Sequence, residues 1–156
     1  MSRSEMREGG GRVTTMRNDH VTLRSTALFD LLAPRTSTVP VQVELRYDTR
    51  DPYAAVAAFR TGRAGWVEWC FARDLLADGL VAESGDGDVR IRPADDDPEV
   101  VVVELSSPSG HATFEAAAED LVDFLDRTYD VVVPGNEHLW VNVDQALTHL
   151  ISNDSS

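Results

Sequence analysis

The stretch VPVQVELRYDTRDPYAAVAAF, residues 39–59, decides the fold. Val41, Val43, Leu45 and Tyr47 alternate with Gln42, Glu44, Arg46 and Asp48. Strict alternation of this kind marks a strand with one face on a core and the other in water. Asp51-Pro52 then predicts a turn, because proline presets φ and the aspartate side chain can bond the following backbone. Ala55, Ala57 and Phe59 carry the next strand.

The same period extends outward from this stretch. Before it, Val21, Leu23, Ser25, Ala27, Phe29 and Leu31 fall on one face of a first strand that Pro34 ends. After it, Thr61-Gly62 turns the chain into a fourth strand, 65–71, with Val67, Trp69 and Phe71 on one side and Trp66, Glu68 and Cys70 on the other. Residues 72–78 change to helical spacing, and Gly79 is expected as a C-terminal cap. The second half repeats the plan. Strands are expected at 88–92, at 100–105 (Val100 to Val103 suit a strand buried on both faces) and at 111–115. A helix over 116–128 is expected to bury Ala118, Leu121, Val122 and Leu125. Its other face holds Glu119, Asp120, Asp123 and Asp126. Residues 139–143 read as a short strand, and Asp144 as the N-cap of a short final helix through Leu147, Leu150 and Ile151. The result is an α+β chain of two similar halves, ββββα then βββα.

Composition bounds what such a chain does. Of 156 residues, 27 are Asp or Glu and 14 are basic, for a net charge of −13. All fourteen basic residues are arginine. Hydrophobic residues make up 42% and charged residues 26%, the proportions of a soluble globular domain rather than a disordered chain. The global field opposes nucleic acid and anionic lipid alike. Cys70 is the single cysteine, so no internal disulfide forms. No apolar run reaches the length of a membrane span, and residues 1–19 lack the apolar segment of a signal peptide. A cytoplasmic protein is expected, with residues 1–19 a disordered N-terminal tail and 20–152 a single domain.

The chemistry-bearing motifs are missing. His20, His111, His138 and His149 form no H-x-x-x-H, and Asp95-Asp96-Asp97 lacks the alternating ligands and glycine of a calcium loop. Gly85-Asp86-Gly87 is a hairpin turn rather than a phosphate cradle, since no lysine is available to reach a phosphate. No catalytic residue, metal site or cofactor is expected. A single-stranded nucleic-acid binder is the alternative reading. It would need a basic groove interleaved with aromatics, and only Arg46, Arg90 and Arg92 project outward from predicted strands. Trp66, set on the face opposite Val67, Trp69 and Phe71, and Trp140 are the candidate partner-binding residues, because large exposed apolar patches mark partner surfaces.

Five blocks carry a resemblance: LRYDTRDPYAAVAAF (45–59), VEWCFARDLLADGL (67–80), GDVRIRP (87–93), LSSPSGHATFEA (105–116) and VPGNEH (133–138). In that order they resemble the SsgA-like proteins, sporulation and cell-division regulators of actinobacteria. The resemblance implies a whirly-like fold of two antiparallel sheets each followed by a helix, and association as a homotrimer. It also implies a non-enzymatic scaffold at the division septum that recruits or localises the tubulin-like FtsZ. Other SsgA-like or divisome proteins would be further partners, without direct membrane insertion. Asp51, Pro52, Arg73, Asp74, Gly87 and Asp88 match the family's most recognisable words, and turns, a helix start and ion pairing account for all six.

Overall fold

The computed structural model describes residues 20–33, 37–62, 65–85 and 87–141. The expected N-terminal tail and the helix expected after Asp144 lie outside the described residues. Among the described residues there are seven strands: β1 (Thr22–Leu32), β2 (Thr38–Asp48), β3 (Ala54–Arg60), β4 (Trp66–Ala72), β5 (Val89–Pro93), β6 (Val100–Ser107) and β7 (Gly110–Ala117). Helix α1 (Arg73–Gly79) follows β4, and α2 (Ala118–Val131) follows β7. The mixed α+β order expected from the alternation is therefore observed.

The expectation of two separate sheets is corrected. All seven strands form one antiparallel sheet in the order β4-β3-β2-β1-β7-β6-β5. The join is narrow: β1 meets β7 only through Asp30↔Glu115 and Leu31↔Phe114. Unpaired backbone groups at the end of β1 would be costly so close to the core, and these two pairs satisfy them. By contrast β1 runs against β2 from Thr22↔Asp48 to Leu32↔Thr38.

The sheet is curled, and its aromatic core shows why. Phe59 on β3 and Phe114 on β7 are separated by two strands, yet their ring centroids lie 4.7 Å apart. Phe29 contacts both rings, at 5.7 and 6.3 Å. Only a sheet that folds its inner face on itself brings these positions together. The odd-numbered residues of β2 and β3, from Val43 to Tyr47 and from Ala55 to Phe59, are all buried on that face, as their alternation demands.

Both helices pack inside the curl, and both depart from expectation. In α2 the buried stripe is Leu121, Phe124, Leu125 and Thr128, while Val122 is 41% exposed. The helix starts two residues later than expected, because Val100↔Ala117 and Val101↔Ala116 keep β7 extended to that point. Gly79 is not a left-handed cap: it is the last helical residue, and Leu80 after it is right-handed. A Cβ on Gly79 would come within 2.4 Å of Ile91 Cγ2, so glycine is required for α1 to lie against β5. Residues 137–141 form a helical turn rather than the expected strand, with the Leu139 N–H donating to the Asn136 carbonyl at 3.0 Å.

A candidate docking surface and its buried support

The six motif residues lie at turns and at the start of a helix. Asp51 and Pro52 make the β2–β3 turn: the Asp51 N–H donates to the Asp48 carbonyl at 2.9 Å, and the Tyr47 hydroxyl donates to the buried Pro52 carbonyl at 2.8 Å. The Asp88 carbonyl accepts from the Ser106 N–H at 2.9 Å, and Gly87 leads into the same hairpin. Asp74 sits in the first turn of α1, where a carboxylate complements the helix dipole.

Arg73 is the centre of a buried polar network, and it is 1% exposed. Its Nη1 donates to the Val132 carbonyl at 2.7 Å and to the Thr128 carbonyl and Oγ1, both at 3.3 Å. Nη2 donates to Glu137 Oε2 at 2.8 Å. The guanidinium lies between the Tyr47 and Tyr129 rings, 5.0 Å from each centroid. Arg73 thus ties α1 to the end of α2, to the turn at 133–136 and to β2. Burial alone would raise the Glu137 carboxyl. The bonds from Arg73 and from the Gly135 N–H outweigh it and hold the carboxyl below its ordinary value. Burial pushes the Tyr47 phenol up to about 12, against the opposing charge of Arg73.

Trp66 and Trp140 lie at opposite ends of the sheet. Trp140 is half-buried against the core, with its ring 5.9 Å from His20 at the start of β1. Trp66 opens β4 at the far end, is 46% exposed, and has the Arg60 guanidinium 5.8 Å from its ring centroid. β4 is a terminal strand of the sheet, and Val67 beside Trp66 is 43% exposed. Cys70 is also exposed, and partial burial with the Asp51 charge raises its thiol, which keeps it protonated.

The edge of β4 carries more than side chains. The Thr61 N–H donates to Gly65 and the Arg73 N–H to Tyr53, each at 2.7 Å. These bonds fit the register Phe59↔Val67 and Ala57↔Trp69, so odd-numbered residues exchange the ladder bonds. The N–H and C=O groups of Trp66, Glu68 and Cys70 therefore point away from β3. On the inner side, an open groove of about 320 Å³ lies between β4 and the β6–β7 hairpin, lined by Phe59, Val67, Trp69, Leu105, His111 and Phe114 among others. Sequence reasoning singled out Trp66 but missed this groove, which exists only because the curl brings the β6–β7 hairpin opposite β4.

The three arginines expected to project outward are each neutralised, but they are not alone: Arg24 on β1 also projects outward, 3.3 Å from Glu44, and so does Arg60 on β3, beside the Trp66 ring. Arg46 meets Glu44 at 3.0 Å and Glu68 at 2.5 Å, Arg90 pairs with Glu83, and Arg92 lies 3.9 Å from both Asp95 and Glu104. No phosphate-binding stripe results from them. Among the described residues, no group of three His, Cys, Asp or Glu side chains could hold a metal ion, and no helix is long and apolar enough to cross a membrane.

A curled antiparallel sheet packed with two helices, with β4 left as an open edge, defines a small α+β protein. The comparisons place it more closely. The family described as Streptomyces sporulation and cell division protein, SsgA, matches residues 41–137, and the chain belongs to this SsgA-like family as an SsgB member. It is 82% identical over 141 residues to the sporulation-specific cell division protein SsgB of Saccharopolyspora erythraea, covering 90% of this chain and 100% of that one. It is 49% identical to the SsgB of Streptomyces coelicolor, covering 78% and 90%. Among solved structures, the SsgA-like sporulation-specific cell division protein of Thermobifida fusca aligns with a TM-score of 0.76 at 40% identity, over 83% of this chain and 95% of that one. These relatives support a role in cell division during sporulation.

Proposed function

We propose that the chain is a non-enzymatic scaffold of sporulation septation that brings FtsZ to the division septum, acting in the cytoplasm through protein contacts and as a homotrimer. The observation that carries this reading is the exposed aromatic start of β4, Trp66 with Val67, on a chain that elsewhere presents acid. Large apolar groups left in water on a monomer mark partner surfaces. A chain of net charge −13 and an acidic partner repel each other at a distance, so apolar contact must supply the affinity.

Co-sedimentation with FtsZ polymers, with and without GTP, tests the reading alongside the mass in solution. Enrichment in the GTP pellet, and a particle of three times the 17.1 kDa chain, are expected. Trp66→Ser is expected to lower that enrichment about tenfold, the scale of one anchoring aromatic. A folded wild-type protein that stays in the supernatant overturns the recruiting role.

A further inference from the structure

The two edges of the sheet are not equivalent. The β5 edge is covered by its own chain: Ser84 and Ile91 exchange two backbone hydrogen bonds, at 2.8 and 3.0 Å. The β4 edge has no such cover. It carries none of the usual protection of edge strands either, since WVEWCFA contains no proline and no lysine. Its single charge, Glu68, is already matched by Arg46 on the neighbouring outer face. What remains is a row of outward N–H and C=O groups at Trp66, Glu68 and Cys70, with the apolar groove beneath.

Charge is segregated in the same sense. Residues 20–72, which hold β1 to β4, contain six arginines and five acids, whereas residues 73–141 contain four arginines and seventeen acids. At the open edge, Arg60 has no carboxylate partner among the described residues, and its guanidinium lies near the exposed ring of Trp66. The open edge is thus apolar on its inner side and cationic at one end of its outer side, in a molecule whose acid is concentrated in residues 73–141.

We infer that β4 takes an extended segment of a partner protein as an eighth strand, alternating apolar residues over the groove with acidic residues toward Arg60. Backbone groups of the segment pair with Trp66, Glu68 and Cys70, and its apolar side chains extend the row of Val67 and Trp69. A basic segment gains nothing at Arg60. The inference deepens the scaffold reading by naming the surface and the chemistry of what docks there.

The test uses the full chain and two synthetic peptides, one alternating valine with glutamate and one alternating valine with lysine. The Val–Glu peptide is expected to slow hydrogen exchange at the Glu68 and Cys70 amides, which have no ladder partner. Glu68→Pro removes one outward N–H without touching a bond to β3 and is expected to weaken binding about tenfold. Glu68→Gln keeps that N–H and is expected to bind like wild type. Arg60→Glu, an exposed change that leaves the fold intact, is expected to reverse the preference between the peptides. Absence of β4 protection by the Val–Glu peptide, or equal binding of both peptides by wild type, overturns the inference. So does β4 protection without peptide in an oligomer that Glu68→Pro dissociates, since a second copy would then be the occupant. The FtsZ pelleting assay separates the two readings. Peptide binding without pelleting keeps the edge and removes the recruiting role. Pelleting that Glu68→Pro leaves unchanged, with no peptide bound, keeps the role and removes the edge.

Discussion

Arg73 and Glu137 form a buried ion pair, 2.8 Å apart, in which each partner depends on the other. Replacing both by apolar groups can be nearly neutral, but removing one strands the other. Arg73→Met is therefore expected to cost about 3–5 kcal/mol in urea unfolding, with the Arg73→Met/Glu137→Gln double variant losing less than the two single variants together. The pair also sets an acid limb. The carboxyl of Glu137 is depressed in the folded chain relative to its ordinary 4.5. Its contribution is thus present above that pH and lost as pH falls through the folded value. Glu137→Gln is expected to lower stability at pH 7 and to flatten the loss of stability below about pH 4.5, a comparison read from thermal unfolding across pH 2 to 7.

Helix α2 separates what periodicity alone decides from what packing decides. Ala118, Leu121, Val122 and Leu125 satisfy helical spacing, and so do Leu121, Phe124, Leu125 and Thr128. The second stripe wins because Phe124 offers more apolar surface than Val122 and the Thr128 hydroxyl finds partners at Leu125 and Arg73. Phe124→Ala is expected to cost about 3–5 kcal/mol and Val122→Ala less than about 1 kcal/mol, measured by chemical denaturation. The opposite order would restore the stripe that the sequence suggested. Gly79 teaches a related lesson. A glycine at the end of a helix reads as a cap, and the reason for it here is Ile91, which no local pattern contains.

At the scale of the whole molecule, the crowding of acid into residues 73–141 has a measurable consequence. Like charges over α1, α2 and the β5–β7 half repel one another, and the repulsion is screened once the Debye length falls to about 10 Å near 0.1 M salt. The melting temperature is expected to rise between 10 mM and 0.2 M sodium chloride. A flat or falling profile would show that the arginine–carboxylate pairs on the outer face offset the excess.

The sequence by itself determined the alternation of β1 to β4, the βββ run that follows, the absence of catalytic and metal-binding motifs, and membership of the SsgA-like family. Each of these depends on residues close together in the chain, where period two or a motif's spacing is visible directly. The tertiary structure alone decided the rest. Two meanders became one curled sheet because Asp30 and Leu31 found partners more than eighty residues away. Arg73 became a buried hub because Thr128, Val132 and Glu137 arrive from a distant helix end and turn. Trp66 was legible as an outward aromatic, but its strand was not legible as the open edge. Edge position is a property of the whole ladder: it follows from which strands pair across the sheet, and no local pattern records it.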